Sequence, residues 1–133
     1  MSKERELFNA AIKVQKNAYA PYSNFLVGAA LRSSSGKIYT GCNVENIAYP
    51  EGTCAEAGAI ASMIAGGDRE IKELTVVADS SKPVAPCGGC RQKISEFGSS
   101  SIVISLATTS GDIISTSLGE LLPGAFDQSF MKL

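Results

Sequence analysis

Two stretches decide how this chain is read: Thr53-Cys54-Ala55-Glu56 and, further along, Pro86-Cys87-Gly88-Gly89-Cys90. Each stands where a helical pattern opens. One helix is expected from residue 54 to about 65, closed by Gly66-Gly67-Asp68, and a second from 88 to about 97, closed by Gly98. Each is followed by an apolar run rich in β-branched residues, 74–78 and 102–106, which reads as a strand. Helix and strand therefore alternate through the second half of the chain.

Working outward, residues 3–17 place Leu7, Ala10, Ala11 and Val14 at helical spacing, with Ala18 just beyond, and predict a surface helix. It ends at Tyr19-Ala20-Pro21, because proline disfavours helical geometry in the residue before it. Residues 25–31 and 37–44 form a hairpin about Ser33-Ser34-Ser35-Gly36, and 113–116 offer a last strand. The order predicts a three-layer α/β/α sandwich around a mixed five-stranded sheet. There is no repeat and no linker, so residues 1–133 are expected to be one domain.

Composition narrows the chemistry. Twelve basic and thirteen acidic residues leave a net charge of −1 with no basic run, which argues against a polynucleotide partner. No apolar run approaches membrane-spanning length, and Met1-Ser2-Lys3-Glu4-Arg5-Glu6 is too charged for a secretory signal. A cytoplasmic, reducing setting is expected, where cysteines serve as ligands or core residues more often than as disulfides. Histidine is absent altogether. Ser-His-Asp and Cys-His chemistry is thereby excluded, and proton transfer must fall to a carboxylate, a thiol, a lysine or a metal-bound water.

Cys87-x-x-Cys90 has the spacing at which two thiolates grip one zinc from the first turn of a helix, and Cys54 sits at another predicted helix start. Helix N-termini favour thiolate. Three ligands leave a fourth position open, as catalysis requires. A redox pair is the rival reading of Cys87 and Cys90. For Glu56 the rival is a capping box with Thr53, in which the glutamate bonds back to the cap residue's amide. Two residues from a ligand in a chain without histidine, a proton-carrying role is preferred. Cys42 reads as a small core residue on the strand face opposite Asn43 and Glu45, which point a neutral polar group and a carboxylate the same way, as a sugar diol or a solvated strand end would both suit.

Cys54-Ala55-Glu56 with Pro86-Cys87-x-x-Cys90 resembles the zinc deaminase signature in its three-cysteine form. The segments 19–31, Gly41-Cys42-Asn43-Val44-Glu45-Asn46 and Leu122-Pro123-Gly124-Ala125-Phe126 are similar to the short, homotetrameric cytidine deaminases. The resemblance implies one Zn²⁺ per subunit on Cys54, Cys87 and Cys90, with Glu56 as the proton shuttle in hydrolytic deamination of cytidine and 2′-deoxycytidine. It implies Phe25 against the pyrimidine, Ala55 in the substrate site, and Asn43 and Glu45 on the ribose hydroxyls. Ala48, Tyr49 and Phe126 would help close a neighbouring subunit's pocket.

One position departs from the family pattern: arginine commonly follows the glutamate, and here Ala57-Gly58 follows. Three thiolates with Zn²⁺ sum to a net negative charge, so another group must offset it. The helix ends and Arg91, directly after Cys90, are the candidates for that role. The alternatives are a deaminase of an aminonucleoside antibiotic and a non-catalytic module whose zinc only staples the fold. A polynucleotide-editing deaminase is disfavoured by the missing basic face.

Overall fold

In the computed structural model, residues 3–131 are described; the outermost residues of the expected 1–133 domain lie outside them. The helix α1 (Lys3–Gln15) precedes the hairpin β1 (Val27–Ser33) and β2 (Ile38–Cys42). Then come α2 (Ala55–Ala65), β3 (Ile71–Ala78), α3 (Gly88–Phe97), β4 (Val103–Thr108), β5 (Ile113–Ser117) and the short α4 (Leu118–Leu121). The five strands make one sheet in the order β2-β1-β3-β4-β5. Only β3 and β4 are parallel, joined through α3; every other neighbouring pair is antiparallel. This is the mixed, three-layer sandwich expected from the element order.

Strand alternation sorts the core onto two faces. Ala30, Val77 and Ala107 point to one side and meet Leu7, Phe8 and Ala11 of α1. Ala29, Leu31, Leu74, Val76, Ile104 and Leu106 point to the other and meet Ala59, Ile60 and Met63 of α2 and Ile94 of α3. Two glycines let the helices come down onto the sheet. A Cβ on Gly28 would stand 2.2 Å from the Ala11 carbonyl oxygen, and one on Gly41 2.2 Å from the Ala59 nitrogen. Anything larger at Gly41 would lift α2, and with it Cys54 and Glu56, off the sheet.

Boundaries differ from expectation where side chains intervene. β1 starts at Val27 rather than at residue 25, because the Asn43 side chain occupies the backbone there. Its Oδ1 accepts from Val27 N at 2.9 Å and its Nδ2 donates to the Phe25 carbonyl at 2.8 Å. β2 ends at Cys42, and Val44 instead bridges singly to Tyr19 and to Thr53. β3 runs Ile71–Ala78, longer than the β-branched run alone suggests. Cys42 is half-buried at the strand end, not in the full core position expected of it. No helix among the described residues is long and apolar enough to cross a membrane.

Candidate active site

Three structural ends converge on one cavity of about 400 Å³. The N-terminus of α2 supplies Cys54, Ala55 and Glu56; the loop entering α3 supplies Pro86 and Cys87. The hairpin side supplies Phe25, Asn43 and Glu45, and Val76 and Ala78 form part of the lining from the end of β3. A cavity of this size suits a small ligand, and its position beyond the strand ends is where open α/β sheets bind.

The thiols of Cys54, Cys87 and Cys90 form one group, with sulfur atoms all within 4.8 Å of one another. Thiolates about 2.3 Å from a tetrahedral zinc lie roughly 3.8 Å apart, so the donor set and its spacing suit one zinc ion with modest contraction. All four cysteines are free thiols, and Cys42 is not part of the group. Cys54 and Cys87 are the cap residues of α2 and α3, so both sulfurs stand at positive helix ends. The helix ends do not dominate everywhere. Burial pushes the Cys54 and Cys90 thiols up, Cys90 well above the usual thiol range, with the Glu56 charge adding to both. Cys87 alone is lowered, chiefly by the Cys90 backbone N–H.

Glu56 is only 4% exposed. The capping box is not formed: the cap residue is Cys54, one position later than Thr53, and no side chain caps the helix. Glu56 therefore stands in the second helical position and faces the cavity. Burial raises its carboxyl above the ordinary range, opposed by its own backbone N–H and by the charge of Lys93. Lys93 is a cation that no local motif in the chain singles out. One helical turn beyond Cys90, it shares with Ala57 a groove on the outer side of α2 and α3; the i, i+3 relation to a ligand was the available signal. Arg91 is half-buried, and its guanidinium donates to the Pro86 carbonyl at 2.8 Å and the Leu121 carbonyl at 2.7 Å. It thus ties the residue before Cys87 to α4.

Asn43 and Glu45, expected at the sugar, both line the cavity, beside a 37% exposed Phe25. Glu45 Oε1 accepts from Tyr22 N at 3.0 Å and Ser23 N at 3.1 Å, while Oε2 accepts from the Ser23 hydroxyl. These bonds hold its carboxyl below the ordinary range. Tyr49, expected at a neighbour's pocket, lines the cavity of its own chain and leans on Tyr22. Ala48 is exposed beside it. Phe126 is not among the residues that line the cavity; it is 63% exposed, stacks on Phe130, and its carbonyl accepts from Gln92.

The family described as the cytidine and deoxycytidylate deaminase zinc-binding region matches residues 1–106. The chain belongs to that family. A cytidine deaminase from Sporosarcina psychrophila is 49% identical over 116 residues, covering 87% of this chain and 85% of its own. One from Halalkalibacterium halodurans is 42% identical over 126 residues, covering 95% and 96%. The crystal structure of cytidine deaminase from Burkholderia pseudomallei superposes with a TM-score of 0.89 at 44% identity, covering 95% of this chain and 100% of that one. As a member of the zinc-binding deaminases the chain is an enzyme, and its cysteine group is positioned to bind one metal ion.

Proposed function

We propose that this enzyme hydrolyses free cytidine and 2′-deoxycytidine, with one water, to uridine or 2′-deoxyuridine and ammonia. The observation that carries this reading is a nearly dry carboxylate, Glu56, in one cavity with the thiol group and with Phe25, Asn43 and Glu45. Cys54, Cys87 and Cys90 would hold the zinc, which when bound acts as a Lewis acid that lets water ionise near neutral pH.

The chain's own residues do the rest. Glu56, whose affinity for a proton is raised by burial, takes a proton as the carboxylate from the attacking water and passes it to ring N3. The water's second proton, left on the new C4 hydroxyl, is carried by the same carboxylate to the amino group, so that the C4–N bond breaks, ammonia leaves and C4 becomes the carbonyl. Phe25 supplies a flat face for the pyrimidine, Ala55 its edge, and Asn43 and Glu45 hold the ribose hydroxyls. Lining residues include two carboxylates and no Lys or Arg among the described residues, so no cationic side chain there would meet a 5′-phosphate. That favours nucleosides over nucleotides, and over any polynucleotide. Arg91 places its charge beside the cysteine loop while anchoring that loop's backbone.

Residues 1–133 act as one catalytic domain in this reading, in a homotetramer. The tetramer is supported by exposed aromatic side chains, Tyr49 at 73% and Phe126 at 63%, which together with Ala48 would help close a neighbour's cavity. Four free thiols fit a reducing compartment such as the cytoplasm.

The test is direct. Cytidine added to the zinc-loaded protein should change its ultraviolet absorbance as the exocyclic amine is lost, with deoxycytidine following and cytosine base reacting far more slowly. Zinc-loaded protein that leaves cytidine unchanged overturns the reading in favour of a zinc-stapled module.

A further inference from the structure

Glu45 does not stand at the cavity as a free carboxylate. A carboxylate offers roughly four acceptor positions, and three are taken by donors from one short segment: Tyr22 N, Ser23 N and the Ser23 hydroxyl. The Ser23 oxygen has a second duty, accepting from Phe25 N at 3.0 Å. One hydroxyl thus joins the carboxylate to the backbone of the residue whose ring lines the same cavity.

The turn that carries Ser23 is braced for this. Asn24 takes a left-handed conformation (φ 59°), which asparagine tolerates better than most residues, and its N–H bonds back to the Ala20 carbonyl at 2.9 Å. On the far side Asn43 Nδ2 donates to the Phe25 carbonyl. Both peptide groups of Phe25 are therefore held by side chains.

We infer that Ser23 is a positioning residue for substrate specificity: its hydroxyl leaves Glu45 a single open acceptor position, aimed at one sugar hydroxyl, and sets the height of Phe25 relative to it. This rests on the nucleoside reading above. With Ser23 in place, the carboxylate reads a hydroxyl at one point. Without it, Oε2 turns toward water and the sugar contact weakens, while the thiol group and Glu56, which Ser23 does not touch, keep their arrangement.

The test compares Ser23→Ala with the unaltered enzyme on cytidine and on 2′,3′-dideoxycytidine, which lacks the 2′- and 3′-hydroxyls of the sugar and keeps the 5′-hydroxyl. A hydrogen bond to a charged group lost from substrate binding corresponds to about a tenfold effect. The expected result is KM for cytidine raised by about that factor with kcat nearly constant, the pattern of lost uniform binding, and a much smaller change in KM for the dideoxy substrate. Ser23→Thr, which keeps the hydroxyl, should restore the cytidine KM. Should the alanine variant fold poorly by its melting temperature or zinc content, Ser23→Cys gives the same comparison with a near-isosteric, far weaker donor. Equal losses on both substrates, a fall in kcat alone, or an unchanged cytidine KM overturns the positioning role. An unaltered enzyme that is inactive on cytidine overturns the nucleoside reading itself, and this inference with it.

Discussion

The two walls of the cavity each present a glutamate, and the two are held in opposite ways. Glu56, on the first turn of α2, is shut away from water, and burial drives its carboxyl toward the proton. Glu45, on the loop after β2, is half-buried and wrapped in N–H and O–H donors, chiefly from Ser23, that keep it ionised. In the proposed function one residue type would thus serve as proton carrier on the thiol wall and as fixed sugar acceptor on the other. Environment alone separates the roles, as it does wherever paired carboxylates divide acid and acceptor work.

The sharpest way to break that contrast is to make each glutamate a glutamine. Glu56→Gln removes the proton carrier but not the ligands, so kcat should fall by about a thousandfold or more, with one zinc per subunit still measured by metal analysis. Near-normal turnover with zinc bound would end the proton-shuttle role. Glu45→Gln should instead act through binding, raising KM for cytidine by roughly tenfold to a hundredfold while kcat moves little, as steady-state kinetics would show.

Arg91→Ala sharpens the thiol wall from behind. Without its bonds to the Pro86 and Leu121 carbonyls the loop before Cys87 loosens. We expect zinc to be lost to a chelator several times faster, and activity to fall more than for an average surface change. Unchanged zinc retention and catalysis would remove Arg91 from the site.

The smallest expected effect is in the acid limb. Because Glu45 titrates below the ordinary carboxylate range in the folded protein, KM for cytidine should stay flat as pH falls into that range and rise only beneath it. The same depressed value contributes stability that is full above the unfolded carboxylate pKa and lost as pH falls through the folded one. In Glu45→Gln the acid rise in KM should vanish, which pH-dependent kinetics can read.

Much of this was legible in the chain. Cys54, Cys87 and Cys90 announce a ligand set because helix starts and Cys-x-x-Cys spacing are local patterns, and the alternation of helix and strand predicts the sheet. Glu56 is ambiguous in the chain, since Thr53-x-x-Glu56 also matches a cap; in the fold the cap is Cys54 and the capping box does not form. The role of Ser23 was hidden because its partner, Glu45, lies 22 residues away and is reached only once the hairpin closes. Lys93 was hidden too, because a charge on a helix surface reads as solvation until its neighbours are known.

The donor set for the metal, the order of layers and the absence of any histidine-based chemistry follow from residue identity and near spacing. Which glutamate is dry and which is wrapped in donors emerges once the chain has folded. The same holds for Arg91, spent on backbone carbonyls, and for Phe126, outside the lining of its own chain's cavity. Burial and hydrogen bonding depend on what arrives from distant parts of the chain, and no local pattern encodes that.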